Sequence, residues 1–254
     1  MKEVKVCLVG SGRAGMIHGH NLAGSVPGGK IIAVCDPVGN VAENAAKELG
    51  IDLFYKDYHD VMKNEEIDAV IIACPTKFHK EITVAAANAG KHVFCEKPMA
   101  MNEDECDEMI NAAKENNVKL QIGFMRRFDE SFQEAKRMIE AGEIGEVVSV
   151  KSHTRGPSKP KEWMYDISIS NGPLGEVCSH DIDTVRWFSG SEISSLYAVG
   201  GNYRNKEIAD KYPDFYDNVI MSVEFEMECR VLSRGHSMYS MDMTQESRFL
   251  EQKE

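Results

Sequence analysis

The first 123 residues alternate between two hydrophobic periods, and that alternation limits the fold more than any other feature of the chain. Apolar runs at 4–9, 30–35, 68–74, 91–95 and 119–123 are rich in Val, Ile and Cys, as strands buried on both faces require. Between them, 13–25, 38–49, 77–89 and 103–116 carry helical spacing, and Asn102 with Glu105 three residues on reads as a helix N-cap. Strand and helix repeated in this way predict an α/β fold whose first part is a Rossmann doubly wound parallel sheet.

GSGRAG at 10–15 follows the first strand and opens the first helix. In that context Gly10 permits a tight turn, Gly12 lets the backbone approach a pyrophosphate, and Gly15 lets helix and strand pack closely. Arg13 and Ala14 then begin a helix whose free N–H groups attract anionic oxygen. As a bare string the motif is weak, because glycine-rich turns are common; its place between strand and helix gives it weight. Asp36 ends the second strand about 20 residues further on, where a carboxylate accepts hydrogen bonds from ribose hydroxyls and repels a 2′-phosphate. Pro37 and Val38 follow it rather than an arginine, which favours NAD over NADP. The competing reading of Asp36 is a cap for a helix starting at Val38.

Composition narrows the setting. A net charge of −12 with no local basic stripe argues against nucleic acid as a partner. No apolar run approaches the ~20 residues that span a bilayer, and no signal sequence precedes the first strand, so a cytoplasmic location is expected. Cysteines at 7, 35, 74, 95, 106, 178 and 229 are odd in number and lack C-x-x-C spacing, which argues against a disulfide framework or a zinc knuckle.

Two further segments, CPTKFH at 74–79 and EKP at 96–98, lie at the carboxyl ends of strands, where open α/β sheets bind ligands. With GSGRAG followed by Met16, Ile17 and His18, GFMRRFD at 123–129 and GEIGE at 142–146, they resemble the glucose-fructose oxidoreductase/inositol dehydrogenase (Gfo/Idh/MocA) family, especially its inositol dehydrogenase-like members. The resemblance runs from about residue 4 to about residue 226 and implies that Lys97 hydrogen-bonds the reacting hydroxyl beside a nicotinamide. An ammonium in a partly desolvated cleft is also suited to stabilising a developing alkoxide; the plain alternative is a solvated surface lysine. Pro75, Thr76, His79 and Glu96 are expected on the cofactor edge, although an ordinary turn histidine explains His79 nearly as well.

Glycine and proline at 172–173 mark a turn, after which Leu174, Val177, Val185 and Phe188 suggest one helix. Glu176, His180 and Asp183 would then share a face. An imidazole held against a carboxylate can take the proton of a hydroxyl as hydride leaves its carbon. The resemblance makes His180 the catalytic base and places an aspartate four residues before it, where this chain has Glu176. A structural histidine is the alternative. Asp183 is expected to be structural, pairing with Arg186. Arg127 resembles a substrate-cleft residue and fits equally a salt bridge at the domain junction. His153, Trp163 and Tyr165 are placed where a sugar ring could meet polar atoms and an aromatic face, or where a core needs filling.

The chain therefore divides into a NAD-binding domain at 1–124 and an α+β substrate domain at 125–254. Beyond the strand-like runs at 146–151, 194–201 and 217–227 the pattern stops, so the second sheet is expected to be incomplete and the domain truncated. Uncovered sheet edges would favour a homo-oligomer, a dimer or tetramer. The activity implied by the resemblance is NAD-dependent oxidation of a ring secondary hydroxyl of a cyclitol, myo-inositol first, or of a sugar. Alternatives are a glycosidase of the family that retains NAD, and a non-catalytic NAD-binding protein. No metal is implied.

Overall fold

The computed structural model describes residues 3–155, 160–226 and 230–236. Its first part runs β1 (Val4–Val9), α1 (Arg13–Gly24), β2 (Gly29–Cys35), α2 (Val41–Leu49), β3 (Leu53–Tyr55), α3 (Tyr58–Lys63), β4 (Ala69–Ile72), α4 (His79–Asn88), β5 (His92–Cys95), α5 (Glu103–Glu115) and β6 (Leu120–Ile122). The strands form one parallel sheet in the order β3-β2-β1-β4-β5-β6, the doubly wound arrangement expected from the alternation. Successive strands are added on one side of β1 as far as β3 and on its other side from β4 onward, so the strand order reverses between β1 and β4 and a crevice opens beyond their carboxyl ends. One face of the sheet packs Cys7, Val9, Val70, Ile72 and Val93 against Ile82, Ala86 and Met109 of α4 and α5. The other packs Leu8, Ile31 and Val34 against Ala42, Ala45 and Leu49 of α2. Asn102 caps α5 as expected, its side chain accepting from the Glu105 N–H at 2.9 Å.

Two details depart from the sequence reading. β3 and α3 lie in a stretch whose three-residue strand, with Leu53 and Phe54 exposed, is too short to display a period. Helix α2 begins at Val41 rather than 38, so Asp36 is not its cap.

The second part contains α6 (Glu130–Glu140), β7 (Ser149–Arg155), α7 (Gly172–Glu176), α8 (Ser179–Ser189), β8 (Ile193–Gly201), β9 (Asn218–Phe225) and β10 (Arg230–His236). Its sheet is mixed, in the order β7-β10-β9-β8, with β10 parallel to β7 and antiparallel to β9. The expected end of the strand pattern at 227 is thus corrected: β10 lies in the interior of the sheet and joins β7 to the β8–β9 pair. Val231 and Leu232 between arginines were too brief an apolar signal to reveal it. Residues 237–254 of the expected truncated tail lie outside the described residues. Val185 of α8 packs on Met221, Val223 and Phe225 across the inner face of the sheet. The single helix expected after residue 173 is divided at Val177 and Cys178, which lie between α7 and α8. No helix among the described residues is long and apolar enough to cross a membrane.

Candidate active site

The glycine turn sits at the carboxyl end of β1, held by the Gly10 N–H donating to the Cys35 carbonyl at 2.8 Å. Gly10 has φ +91°, and a Cβ there would stand 2.7 Å from the backbone of Ala73. A Cβ on Gly15 would meet the Gly10 carbonyl oxygen at 2.0 Å, so the helix starts where only glycine fits. Gly12 is different: a Cβ added there would find nothing within 4 Å, so the turn is open on that side. It precedes the first turn of α1 without any side-chain cap, leaving the leading N–H groups available to an anion. Arg13 and Ala14 are exposed beside it.

Asp36, only 9% exposed, reaches back to this turn. Its Oδ2 accepts from the Ser11 N–H at 3.0 Å and from the Ser11 hydroxyl at 3.2 Å, while Oδ1 accepts from the Val38 N–H at 3.0 Å. These bonds fix a negative charge at the tip of β2. Open helix N–H groups, a glycine against which a phosphate can rest, and an oriented carboxylate form the donor and acceptor set a NAD pyrophosphate and ribose require. Among the described residues no group of three His, Cys, Asp or Glu is placed to hold a metal ion.

The neighbouring turns bring the polar centre. β5 is followed by Glu96 and Lys97, and the Lys97–Pro98 peptide is cis. Glu96 Oε1 meets His18 Nε2 of α1 at 2.7 Å, and its Oε2 accepts from the Lys97 N–H at 3.2 Å. Burial works to raise the Glu96 pKa, but the His18 ring and the Lys97 amide and charge overcome it and hold the carboxyl low. Lys97 Nζ donates to the backbone carbonyl of Glu176 at 2.5 Å, bridging the two halves of the molecule. Burial lowers the Lys97 pKa, opposed by the charges of Glu176 and Glu96.

Glu176 ends α7 and reaches the other way, its Oε1 accepting from the Thr76 hydroxyl at 2.6 Å. Burial raises its pKa, against the pull of Thr76, Lys97 and His79. His79 is 1% exposed, with Nδ1 2.8 Å from the Pro98 carbonyl and Nε2 2.9 Å from the Cys74 carbonyl. It ties the two turns together from beneath, and its burial leaves it no surface on the crevice. Thr76 is likewise only 2% exposed and its hydroxyl is committed to Glu176, whereas Pro75 keeps partial exposure.

His180 stands on the first turn of α8. Its Nδ1 is shut from solvent without a hydrogen-bond partner among the described residues, leaving Nε2 as the ring nitrogen open to a ligand. Its pKa is pushed down to about 4, first by burial and then by the positive charges of Lys97 and Arg126. The imidazole is therefore neutral at pH 7, and Lys97 is close enough for its charge to be felt there.

Other expected residues are distributed differently. Arg127 pairs with Asp183, its Nε at 2.9 and 3.1 Å from the two carboxylate oxygens, and lies over the Trp187 ring at 5.5 Å. This is the junction salt bridge rather than an open guanidinium, and it corrects the expected partner of Asp183. Arg186 pairs instead with Glu192, at 2.5 Å. His153 is corrected too: along β7 Ser152 and Thr154 turn toward α8, while His153 alternates onto the opposite, exposed face. Tyr165 is 6% exposed and packs edge-on against Phe215, with ring centroids 4.9 Å apart. Its burial leaves it little surface for a ligand. Trp163 lies in the same short 3-10 turn, Glu162–Tyr165.

The sequence reading passed over Ser11, Arg126 and Asp181. Arg126, next to the residue singled out, places Nη1 2.9 Å from Asp181 Oδ1 and Nη2 2.6 Å from the Thr154 hydroxyl. Two adjacent arginines gave no signal as to which would turn inward.

The NAD-binding Rossmann-fold model of the Gfo/Idh/MocA oxidoreductase family matches residues 4–124, and a C-terminal-domain model of that family matches 132–247. The scyllo-inositol 2-dehydrogenase (NAD(+)) of Bacillus subtilis is 38% identical over 224 residues, 88% of this chain and 64% of that protein. The chain belongs to the Gfo/Idh/MocA family. A myo-inositol 2-dehydrogenase of Thermotoga maritima is 33% identical over 81% of this chain and 60% of its own length. Among solved structures, scyllo-inositol dehydrogenase from Lactobacillus casei with bound NAD(H) and scyllo-inositol has a TM-score of 0.82 at 32% identity, covering 93% of this chain and 70% of that one. The chain spans 64% and 60% of the lengths of the two sequence relatives. These relatives are dehydrogenases and lend no support to the glycosidase alternative.

Proposed function

We propose that the chain oxidises a ring secondary hydroxyl of a cyclitol to the ketone with NAD, as the names of its inositol dehydrogenase relatives suggest. The observation that supports this reading is the bond of Lys97, at the end of β5, to the Glu176 carbonyl of the second part of the chain, four residues before His180. Lys97 bridges the halves of the molecule through its bond to the Glu176 carbonyl, and its charge bears directly on His180.

The glycine turn and Asp36 would hold NAD, which when bound supplies the acceptor for the hydride leaving the carbinol carbon. His180 takes the hydroxyl proton on Nε2. A conjugate acid with a pKa of about 4 makes the ring fully neutral but only a modest base, so something must ease the loss of the proton. Lys97 does so: its ammonium donates to the oxygen and stabilises the negative charge that grows as the proton departs. Glu176, held by Thr76 through its carboxylate and by Lys97 through its carbonyl, orients the Lys97 side of the site from the second domain. The domains divide near residue 124 in this proposal, the cysteines work as thiols in the cytoplasm, and exposed Tyr197 and Val199 on β8, with Ile220 opposite Val199 on β9, offer a face for a second copy of the chain.

A panel of inositols and aldoses with NAD or NADP, followed by the absorbance of reduced cofactor, tests the reading in the intact chain and in His180→Ala. Turnover on a cyclitol with NAD, lost in the variant while NAD binding persists, is expected. NAD binding without turnover on any polyol would instead identify a non-catalytic NAD-binding protein.

A further inference from the structure

We propose that the buried Arg126–Asp181 pair is a positioning device for His180, anchoring the first turn of α8 to the same sheet edge that carries Lys97. The inference rests on His180 being the base of the proposed reaction. Arg126 projects from the short 3-10 turn Met125–Phe128, directly after β6, where the Gly123 N–H is bonded to the Cys95 carbonyl at 2.8 Å. Lys97 follows that same Cys95 by two residues. Both cationic side chains thus leave adjacent strand ends and reach into the second domain.

Arg126 has 16% of its side chain exposed and Asp181 none. Asp181 Oδ1 receives Arg126 Nη1, the Thr154 hydroxyl at 2.8 Å, and the Ser152 hydroxyl. The guanidinium also meets the Thr184 hydroxyl at 3.3 Å, and Thr184 in turn donates to the His180 carbonyl at 2.7 Å. The pair therefore holds His180 at two points: through the next residue in the chain, and through its own carbonyl one helical turn on. Arg127–Asp183 cannot do this as firmly, because Arg127 is 42% exposed and water competes for its fork.

Among the described residues four charged groups act on the His180 ring. Lys97 and Glu96 do so from the end of β5, Arg126 from the turn after β6, and Asp181 from its own helix. Arg126 pushes its proton affinity down and Asp181 pulls it up. A pair placed only for stability would weaken the fold when broken from either side. A pair coupled to His180 moves the imidazole in opposite directions according to which partner is removed.

The experiment titrates His180 in the full chain by nitrogen-15 NMR of the imidazole, its signal identified by loss in His180→Gln, with kcat and KM measured in parallel using NAD and scyllo-inositol. Arg126→Gln is expected to raise the midpoint and Asp181→Asn to lower it, each by about half a pH unit or more, a factor of about three in proton affinity. Midpoints that move together, or stay still, would overturn the proposal. Should either single variant fail to fold, Arg126→Gln/Asp181→Asn leaves no unpaired buried charge. In that double variant kcat is expected to fall about tenfold with KM for NAD unchanged, and an unaltered kcat would overturn the proposal. Opposite shifts in a protein that turns over no polyol would uphold the pair and sink the dehydrogenase reading alone.

Discussion

Replacing Gly15 with alanine would set a Cβ 2.0 Å from the Gly10 carbonyl oxygen, whereas ordinary carbon–oxygen contact begins near ~3.4 Å. The turn would have to move by more than an ångström, and the atom in the way is backbone, bonded through its own residue to Cys35 at 2.8 Å. Overpacking against so rigid a neighbour costs about 3 kcal/mol. For a chain of this size that lowers Tm by about 6–12 °C. Gly12→Ala is the matched control, because its Cβ meets nothing within 4 Å and its φ of −71° suits any residue. Its stability should change by no more than about 1 kcal/mol, the scale of an N-cap substitution. Its NAD affinity should fall at least tenfold, about 1.4 kcal/mol, since the methyl occupies the side from which a pyrophosphate approaches. Thermal melts by circular dichroism and NAD titration by calorimetry separate the two effects. A Gly15→Ala protein that melts with the wild type, or a Gly12→Ala protein that binds NAD as the wild type does, would refute this account of the turn.

Asp36→Asn keeps an acceptor for the Ser11 N–H but removes the charge, so the preference for NAD over NADP should shrink about tenfold in paired titrations. Lys97→Met should lower kcat by about 10²–10³ with NAD affinity little changed, the loss expected when one charge-stabilising donor is removed. Because His180 is held down to about 4, kcat/KM should stay flat below neutrality and decline only near that value; a midpoint near the ordinary 6.5 would contradict the depressed pKa. The same shift affects stability. On acidification the unfolded chain takes up the proton first, so the contribution is intact above 6.5 and is lost as the pH falls through about 4. Denaturant titrations of His180→Gln should show a shallower decline over that window.

The first domain was legible because its signals are local. A strand buried on both faces reads as an apolar run, and Gly15 is required by the Gly10 carbonyl five residues before it, while Gly10, against Ala73, and Asp36, against Ser11, were legible because their spacing forms a motif. The second domain depends on longer-range effects. The division between α7 and α8 at residues 177–178 interrupts no hydrophobic period, since Leu174 and Val185 still face inward. β10 belongs to the sheet by pairing with β7 and β9, and the β7 partner is distant in sequence. His153 was one residue out of phase: in a strand, that step exchanges the face toward α8 for the exposed one. Arg126 and Arg127 are indistinguishable as letters. Only the burial of Asp181 beside the partial exposure of Arg127 tells which arginine reaches the interior.

Transfer of deuterium tests the central claim most directly. Scyllo-inositol deuterated at its ring carbons is incubated with NAD and the intact chain, and the recovered dinucleotide is examined by mass spectrometry. One deuterium on the reduced nicotinamide, formed by the wild type and absent with His180→Ala, is the expected result. Recovery of unlabelled, oxidised dinucleotide from a protein that binds both molecules would contradict the account.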